Sequence, residues 1–281
     1  MSNYFLEVEY WPKSLPNAHR EMLLGIIRRL SVRPNLVGLA IGGSFVSGQM
    51  DDFSDLDLKV VADPEKWHAV NEMRRQIAES VGPLLIAFTG EHIGIAQMLI
   101  CLYGEIPIHV DLNFMVPDQL ISRSEDPKIL WDRDNMLHDA LLNGRTCPFT
   151  VDWQWIEDRF WAWIHYATTK VGRGELFAAI GFISFIREKV LGPIVLEMTG
   201  GKPYGVRHIE RVAPKYATLI ESTVATYDRA AIVKAIQQTV NLYRLFRKET
   251  SPRTMTINEK AEEVVMRYLA NTSEQITKVT A

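Results

Sequence analysis

GGSFVSGQMDDFSDLDLKVV, residues 42–61, sets a glycine-serine turn ahead of two alternating aspartates in a segment that otherwise reads as a strand. Leu56, Leu58 and Val60 fall on one face of that strand, which leaves Asp55, Asp57 and Lys59 on the other. At a rise of ~3.3 Å per residue the two carboxylates sit about 6.5–7 Å apart along the backbone. They repel each other unless something positive lies between them.

A third carboxylate follows in IPIHVDLNF, residues 106–114. Alternation places Ile108, Val110, Leu112 and Phe114 on one face and His109, Asp111 and Asn113 on the other. If the two strands are neighbours, Asp55, Asp57 and Asp111 form one polar cluster beside Gly42-Gly43-Ser44. Mg²⁺, which takes oxygen ligands and meets triphosphates, is the usual partner of such a cluster. The turn by itself reads first as a tight structural turn and only second as a phosphate cradle. It is not a Walker loop, because the closing Gly-Lys-Ser/Thr is missing.

Outward from this stretch, Asn17–Leu30 has a helical apolar period with Asn17 as its N-cap, and Leu36–Ile41 is a short buried strand. Asp63-Pro64 opens a helix to about Ser80, and Leu84–Phe88 is a further strand. Ile95–Tyr103 and Ile106–Phe114 read as a hairpin around Gly104-Glu105. This order gives a small mixed sheet with helices on one side. From Asp152 the pattern is helical. One long apolar helix breaks or ends near Gly192-Pro193, one or two helices lie within Ala213–Arg247, and a last helix fades into a polar tail.

Of the 281 residues, 47% are apolar and 23% charged, with a formal net charge of −3, so bulk electrostatics gives no reason to expect a nucleic-acid partner. Cys101 and Cys147 have no metal spacing and make no disulfide framework, which points to a reducing cytoplasm. No signal-peptide pattern or membrane-length apolar run is read, so the expected location is cytoplasmic.

The stretch 42–61, with its Gly-Gly-Ser turn, Asp-x-Asp and later third Asp, resembles the signature of the nucleotidyltransferase superfamily related to DNA polymerase beta. Within that superfamily, ILWDRDNM (129–136) and RFWAWIHYATTKVGRGELFAAI (159–180) look most like the antibiotic nucleotidyltransferases of the aminoglycoside 6-adenylyltransferase group. The likeness spans residues 38–210. It implies an α+β fold. A polymerase-beta-like mixed-sheet nucleotidyltransferase domain, residues 1–148, would precede a C-terminal helical bundle domain, residues 149–281. Asp55, Asp57 and Asp111 would be catalytic and hold Mg²⁺, while Gly42, Gly43 and Ser44 would meet the phosphates of ATP. Tyr166, Lys170 and Arg173 fall on one helical stripe. By the same resemblance they would hold the triphosphate and stack on base or substrate. The alternative for Lys170 and Arg173 is a solvated face paired with Glu175 or Asp158.

Asp111 is the preferred general base. Glu91 and Glu157 are the alternative candidates, each reading better as an ordinary surface acid, and His109 reads as a hydrogen-bonded structural residue. Trp153, Trp155, Trp161 and Trp163 are divided between core and a pocket wall. Asp51 and Asp52 are either loop solubility or an attraction for a cationic substrate. The expected enzyme moves AMP from ATP to a hydroxyl of a small molecule, such as an aminoglycoside, and releases pyrophosphate. Alternatives are a lincosamide or other metabolite as acceptor, AMP transfer to a protein partner of antitoxin type, and a non-catalytic nucleotide-binding module.

Overall fold

The computed structural model describes residues 3–280. The fold is α+β, and the chain divides into two compact units, Met1–Pro148 and Phe149–Ala281.

The first unit contains strands β1 (Asn3–Phe5), β2 (Leu36–Ile41), β3 (Leu56–Ala62), β4 (Leu84–Gly90), β5 (Ile95–Tyr103), β6 (Ile108–Met115), β7 (Ser122–Arg123), β8 (Lys128–Arg133) and β9 (Arg145–Thr146). Its helices are α1 (Asn17–Leu30), α2 (Gly43–Ser47), α3 (Trp67–Glu72), α4 (Arg74–Val81) and α5 (Met136–Leu142). Seven strands form one mixed sheet in the order β1-β8-β2-β3-β6-β5-β4, and β7 and β9 make a separate small parallel pair. Every junction in the large sheet is antiparallel except β3–β6.

Alternation works as the sequence predicts. Leu56, Leu58 and Val60 of β3 and Val110, Leu112 and Phe114 of β6 are buried against Leu23, Ile26 and Leu30 of α1 and Ile77 and Val81 of α4. The opposite parity continues into Val61 and Met115, which pack beneath Leu137 and Ala140 of α5. Helices therefore lie on both faces, a correction to the one-sided expectation. Gly38 makes this possible, because a Cβ there would stand 2.2 Å from Leu137 Cδ1. The α5 cluster covers only the far end of that face. Asp57, Lys59, Asp111 and Asn113, nearer the start of each strand, remain only partly buried.

Smaller differences have local causes. Pro16, not Asn17, is the N-cap of α1, and Asn17 is its first helical residue. The Asp63 carboxylate does cap the next segment, accepting from Glu65 N–H at 2.9 Å, but the helix is interrupted at Met73 into α3 and α4. β8 is hidden in the sequence because Asp132 interrupts its apolar run. Asp132 is fully buried, and its carboxylate accepts the amides of Leu137 and His138 at 3.0 and 2.9 Å, fixing the start of α5.

The second unit is helical: α6 (Trp153–Gly172), α7 (Leu176–Ile186), α8 (Gly192–Met198), α9 (Ile209–Val212), α10 (Pro214–Glu221), α11 (Arg229–Thr250) and α12 (Glu259–Thr280). The expected break at Gly192-Pro193 does not occur. The chain widens into a π turn at Arg187–Leu191 and runs on, with Pro193 in the first turn of α8, where no N–H is required. The C-terminal helix does not fade at its polar stretch, since Val265, Leu269 and Ile276 keep one face of α12 buried. Among the described residues no helix is long and apolar enough to cross a membrane.

Candidate active site

The β3–β6 junction decides the site. In its parallel register Asp57 is directly paired with Asp111, and Lys59 with Asn113. Since both strands turn the same parity toward the core, the two carboxylates must share the other face. Asp55 lies immediately before β3 and adds a third negative charge close to Asp57. Burial, then repulsion from Asp55 and Asp111, push the Asp57 carboxyl up to about 6, against the opposing pull of Lys59.

The glycine turn is built onto the same spot. Gly42 N–H donates to the Asp57 carbonyl at 2.9 Å, extending the β2–β3 ladder by one bond. Gly43 then turns with φ +60°, and a Cβ on it would fall 2.0 Å from Asp57 Oδ2. Only glycine permits this approach. The Gly43 amide donates to Glu125 Oε1 at 2.9 Å. Two buried polar atoms beside the pair, Ser44 Oγ and Asn113 Oδ1, find no hydrogen-bond partner among the described residues. Gly42, Gly43, Ser44, Asp55, Asp57 and Asp111 are thus brought into one neighbourhood.

His109 Nε2 lies 2.8 Å from Asp111 Oδ1. That hydrogen bond raises the imidazole pKa, with the charges of Asp111, Asp55 and Asp57 adding to it against partial burial. His109 is therefore tied to the carboxylate cluster itself.

Among the described residues no three His, Cys, Asp or Glu side chains converge into a ready-made metal cage. The arrangement present is two paired carboxylates with a third close by, an all-oxygen set whose mutual repulsion Lys59 and His109 offset only in part. That fits Mg²⁺, which usually takes one or two carboxylates and completes its shell with water and substrate phosphates.

Tyr166, Lys170 and Arg173 belong to the second unit. Lys170 and Tyr166 lie on α6, and Arg173 is its C-cap. Lys170 Nζ bonds Glu175 Oε2 at 2.5 Å and sits 5.0 Å from the centre of the Tyr166 ring, while Arg173 approaches Glu175 at 3.9 Å. The pairing with Glu175 is one of the two alternatives for this stripe, and Gly174 at φ +77° supplies the reversal that allows it.

The alternative bases fare differently. Glu91 is exposed at the end of β4 and bonds Thr89. Glu157 is no surface acid: it is 2% exposed and accepts from Trp161, Tyr243, Arg247 and the Asn258 amide. It joins α6, α11 and the segment before α12, which is a structural task. Trp153 and Trp161 are core, whereas Trp155 is exposed beneath Arg159. Asp51 accepts from Phe53 N–H and Ser54 Oγ, so it builds its own turn.

Sequence reasoning missed Glu125. It stands in a polar loop with no periodicity, and nothing in SRSEDP marks one acid as part of a site 82 residues away along the chain.

No known family profile matches the chain, and no curated protein matches it in sequence. Among solved structures it is similar to an aminoglycoside 6-adenyltransferase from Bacillus subtilis, at 16% identity and a TM-score of 0.34, over 93% of this chain and 95% of that one. It is also similar to a nucleotidyltransferase-like protein from Exiguobacterium sibiricum 255-15, at 12% identity and a TM-score of 0.38, over 92% and 91%. Likeness at this level says nothing of chemistry, which rests on the residues above.

Proposed function

We propose that the chain is a Mg²⁺-dependent nucleotidyltransferase that moves AMP from ATP to a hydroxyl of a small molecule and releases pyrophosphate. The observation that carries this reading is the direct pairing of Asp57 with Asp111 while Gly43 is pressed against Asp57. A structural role alone gives no reason to place two carboxylates side by side on a strand junction, with a glycine excluding all bulk from one of them.

Asp57 and Asp111, with Asp55 beside them, would hold Mg²⁺, and the ion when bound would neutralise charge on the phosphate oxygens. The Gly42–Ser44 turn would meet the phosphates through its amides and the Ser44 hydroxyl, whose oxygen has no partner among the described residues. The acceptor oxygen forms a bond to the α-phosphorus as the bond from that phosphorus to the pyrophosphate oxygen breaks. Asp111 takes the hydroxyl proton, and His109 fixes the orientation of its carboxylate through the 2.8 Å bond. The acceptor class we favour is a cationic polyol such as an aminoglycoside, and the working compartment is the cytoplasm.

The test is pyrophosphate release with Mg²⁺ and each of the four common nucleoside triphosphates, against streptomycin, kanamycin, a lincosamide and no acceptor. Release dependent on one acceptor supports the reading. Absence of nucleotide binding under all conditions would sink it.

A further inference from the structure

Glu125 occupies the amide that the proposed function assigns to phosphate. Its Oε1 accepts from Gly43 N–H at 2.9 Å, and the same oxygen would stand 2.8 Å from a Cβ on Gly42, with Lys59 Nζ 3.1 Å from that point. Its charge reaches Asp57, where it adds to the repulsion from Asp55 and Asp111. The loop that carries it is braced on both sides. Arg123 is paired with Asp126 at 2.6 Å and donates to the carbonyls of Leu120 and Leu141, while Thr146 Oγ1 donates to Asp126 at 2.7 Å. β7 and β9 pair directly beside it. The backbone that presents the Glu125 carboxylate to Gly43 is thus held in place.

We propose that Glu125 is a built-in competitor for the nucleotide: its carboxylate holds the Gly43 amide until a triphosphate displaces it. This rests on the nucleotidyltransferase reading. One N–H cannot serve two anions, and a carboxylate and a phosphate brought to the same amide also repel. Binding therefore includes the loss of a charge-assisted hydrogen bond, and removing Glu125 spares the ligand that loss.

The experiment is calorimetric titration of wild type, Glu125→Ala and Glu125→Gln with inorganic tripolyphosphate, and separately with ATP, both in excess Mg²⁺. A charge-assisted bond of ordinary strength corresponds to about tenfold in affinity. Glu125→Ala is expected to bind both probes about tenfold more tightly than wild type. Glu125→Gln should fall between them, since its amide oxygen still accepts from Gly43 without the charge. Binding to wild type that is unchanged or weakened in both variants overturns the competitor and leaves the nucleotide site standing. No binding of either probe to any of the three proteins overturns both. Thermal melting of each variant verifies the fold, and Glu125→Gln, nearly the same shape, decides the matter should the alanine variant unfold.

Discussion

Replacing Gly43 with alanine should separate the site from the fold, because Gly48 supplies a matched control. Both glycines have left-handed backbones, φ +60° and +67°, so alanine at either carries the same conformational cost of about 1–2 kcal/mol. In a domain of this size that lowers the melting temperature by roughly 2–8 °C. The surroundings differ completely. A Cβ at Gly48 meets nothing within 4 Å, whereas at Gly43 it would stand 2.0 Å from Asp57 Oδ2, far inside van der Waals contact. Asp57 must rotate away or the turn must open, and either motion moves the carboxylate by more than the ångström that costs about a hundredfold in a positioned reaction. Gly43→Ala should therefore lose at least about a hundredfold in pyrophosphate release, while Gly48→Ala stays near wild type despite its backbone strain. Equal activity in the two variants, whether both high or both low, would refute the placement of Gly43 against a working Asp57.

Asp57→Asn should abolish turnover and yet stabilise the protein in the absence of Mg²⁺. Its folded pKa is raised to about 6 by burial and by Asp55 and Asp111, so the penalty is absent below the ordinary carboxylate range, grows as pH rises through about 6 and is complete above it. Thermal melts at pH 8 in chelator should show up to about 3 kcal/mol in favour of the variant, vanishing below about pH 4. Adding Mg²⁺ at pH 8 should raise the wild-type melting temperature and leave Asp57→Asn unmoved. In the second unit, Glu157→Ala takes one of two carboxylates from Arg247, which keeps Glu262. It also strips Trp161, Tyr243 and the Asn258 amide of their buried acceptor, so it should cost about 3–5 kcal/mol in chemical denaturation. Burial works to raise the Glu157 pKa, but Tyr243, Asn258, Trp161 and Arg247 together hold it below its ordinary value. Its stabilisation is present above the ordinary carboxylate range and should be lost on acidification through and below that range.

Parity along a strand was legible because it depends on two residues at a time. Leu56, Leu58 and Val60, like Val110, Leu112 and Phe114, declare their face wherever the strand is placed. Register was not legible. That Asp57 meets Asp111, and not Asn113 or His109, follows from the whole sheet order, to which β8 contributes from a sequence that hides its strand behind a buried Asp132. Burial of single polar residues was equally hidden. Glu157 reads as one acid among many on an amphipathic helix, and its four partners come from three separate segments. The π turn ahead of Pro193 illustrates the same limit, since a local breaker was overruled by the packing of Val190, Leu191, Ile194 and Val195 in the helical core.

The parallel β3–β6 junction has a bearing on how the protein matures. An antiparallel hairpin such as β5–β6 can close through a short turn, but β3 finds β6 only after α3, α4, β4 and β5 have been threaded between them. The closure also draws Asp57 toward Asp111 against their mutual repulsion. The carboxylate pair is therefore expected to form late, and a chain stalled before this junction would hold most of its hairpins and helices and lack the proposed reaction centre. Divalent cations present during refolding should speed recovery of activity more than recovery of helical signal, because they offset the repulsion met when Asp57 closes on Asp111.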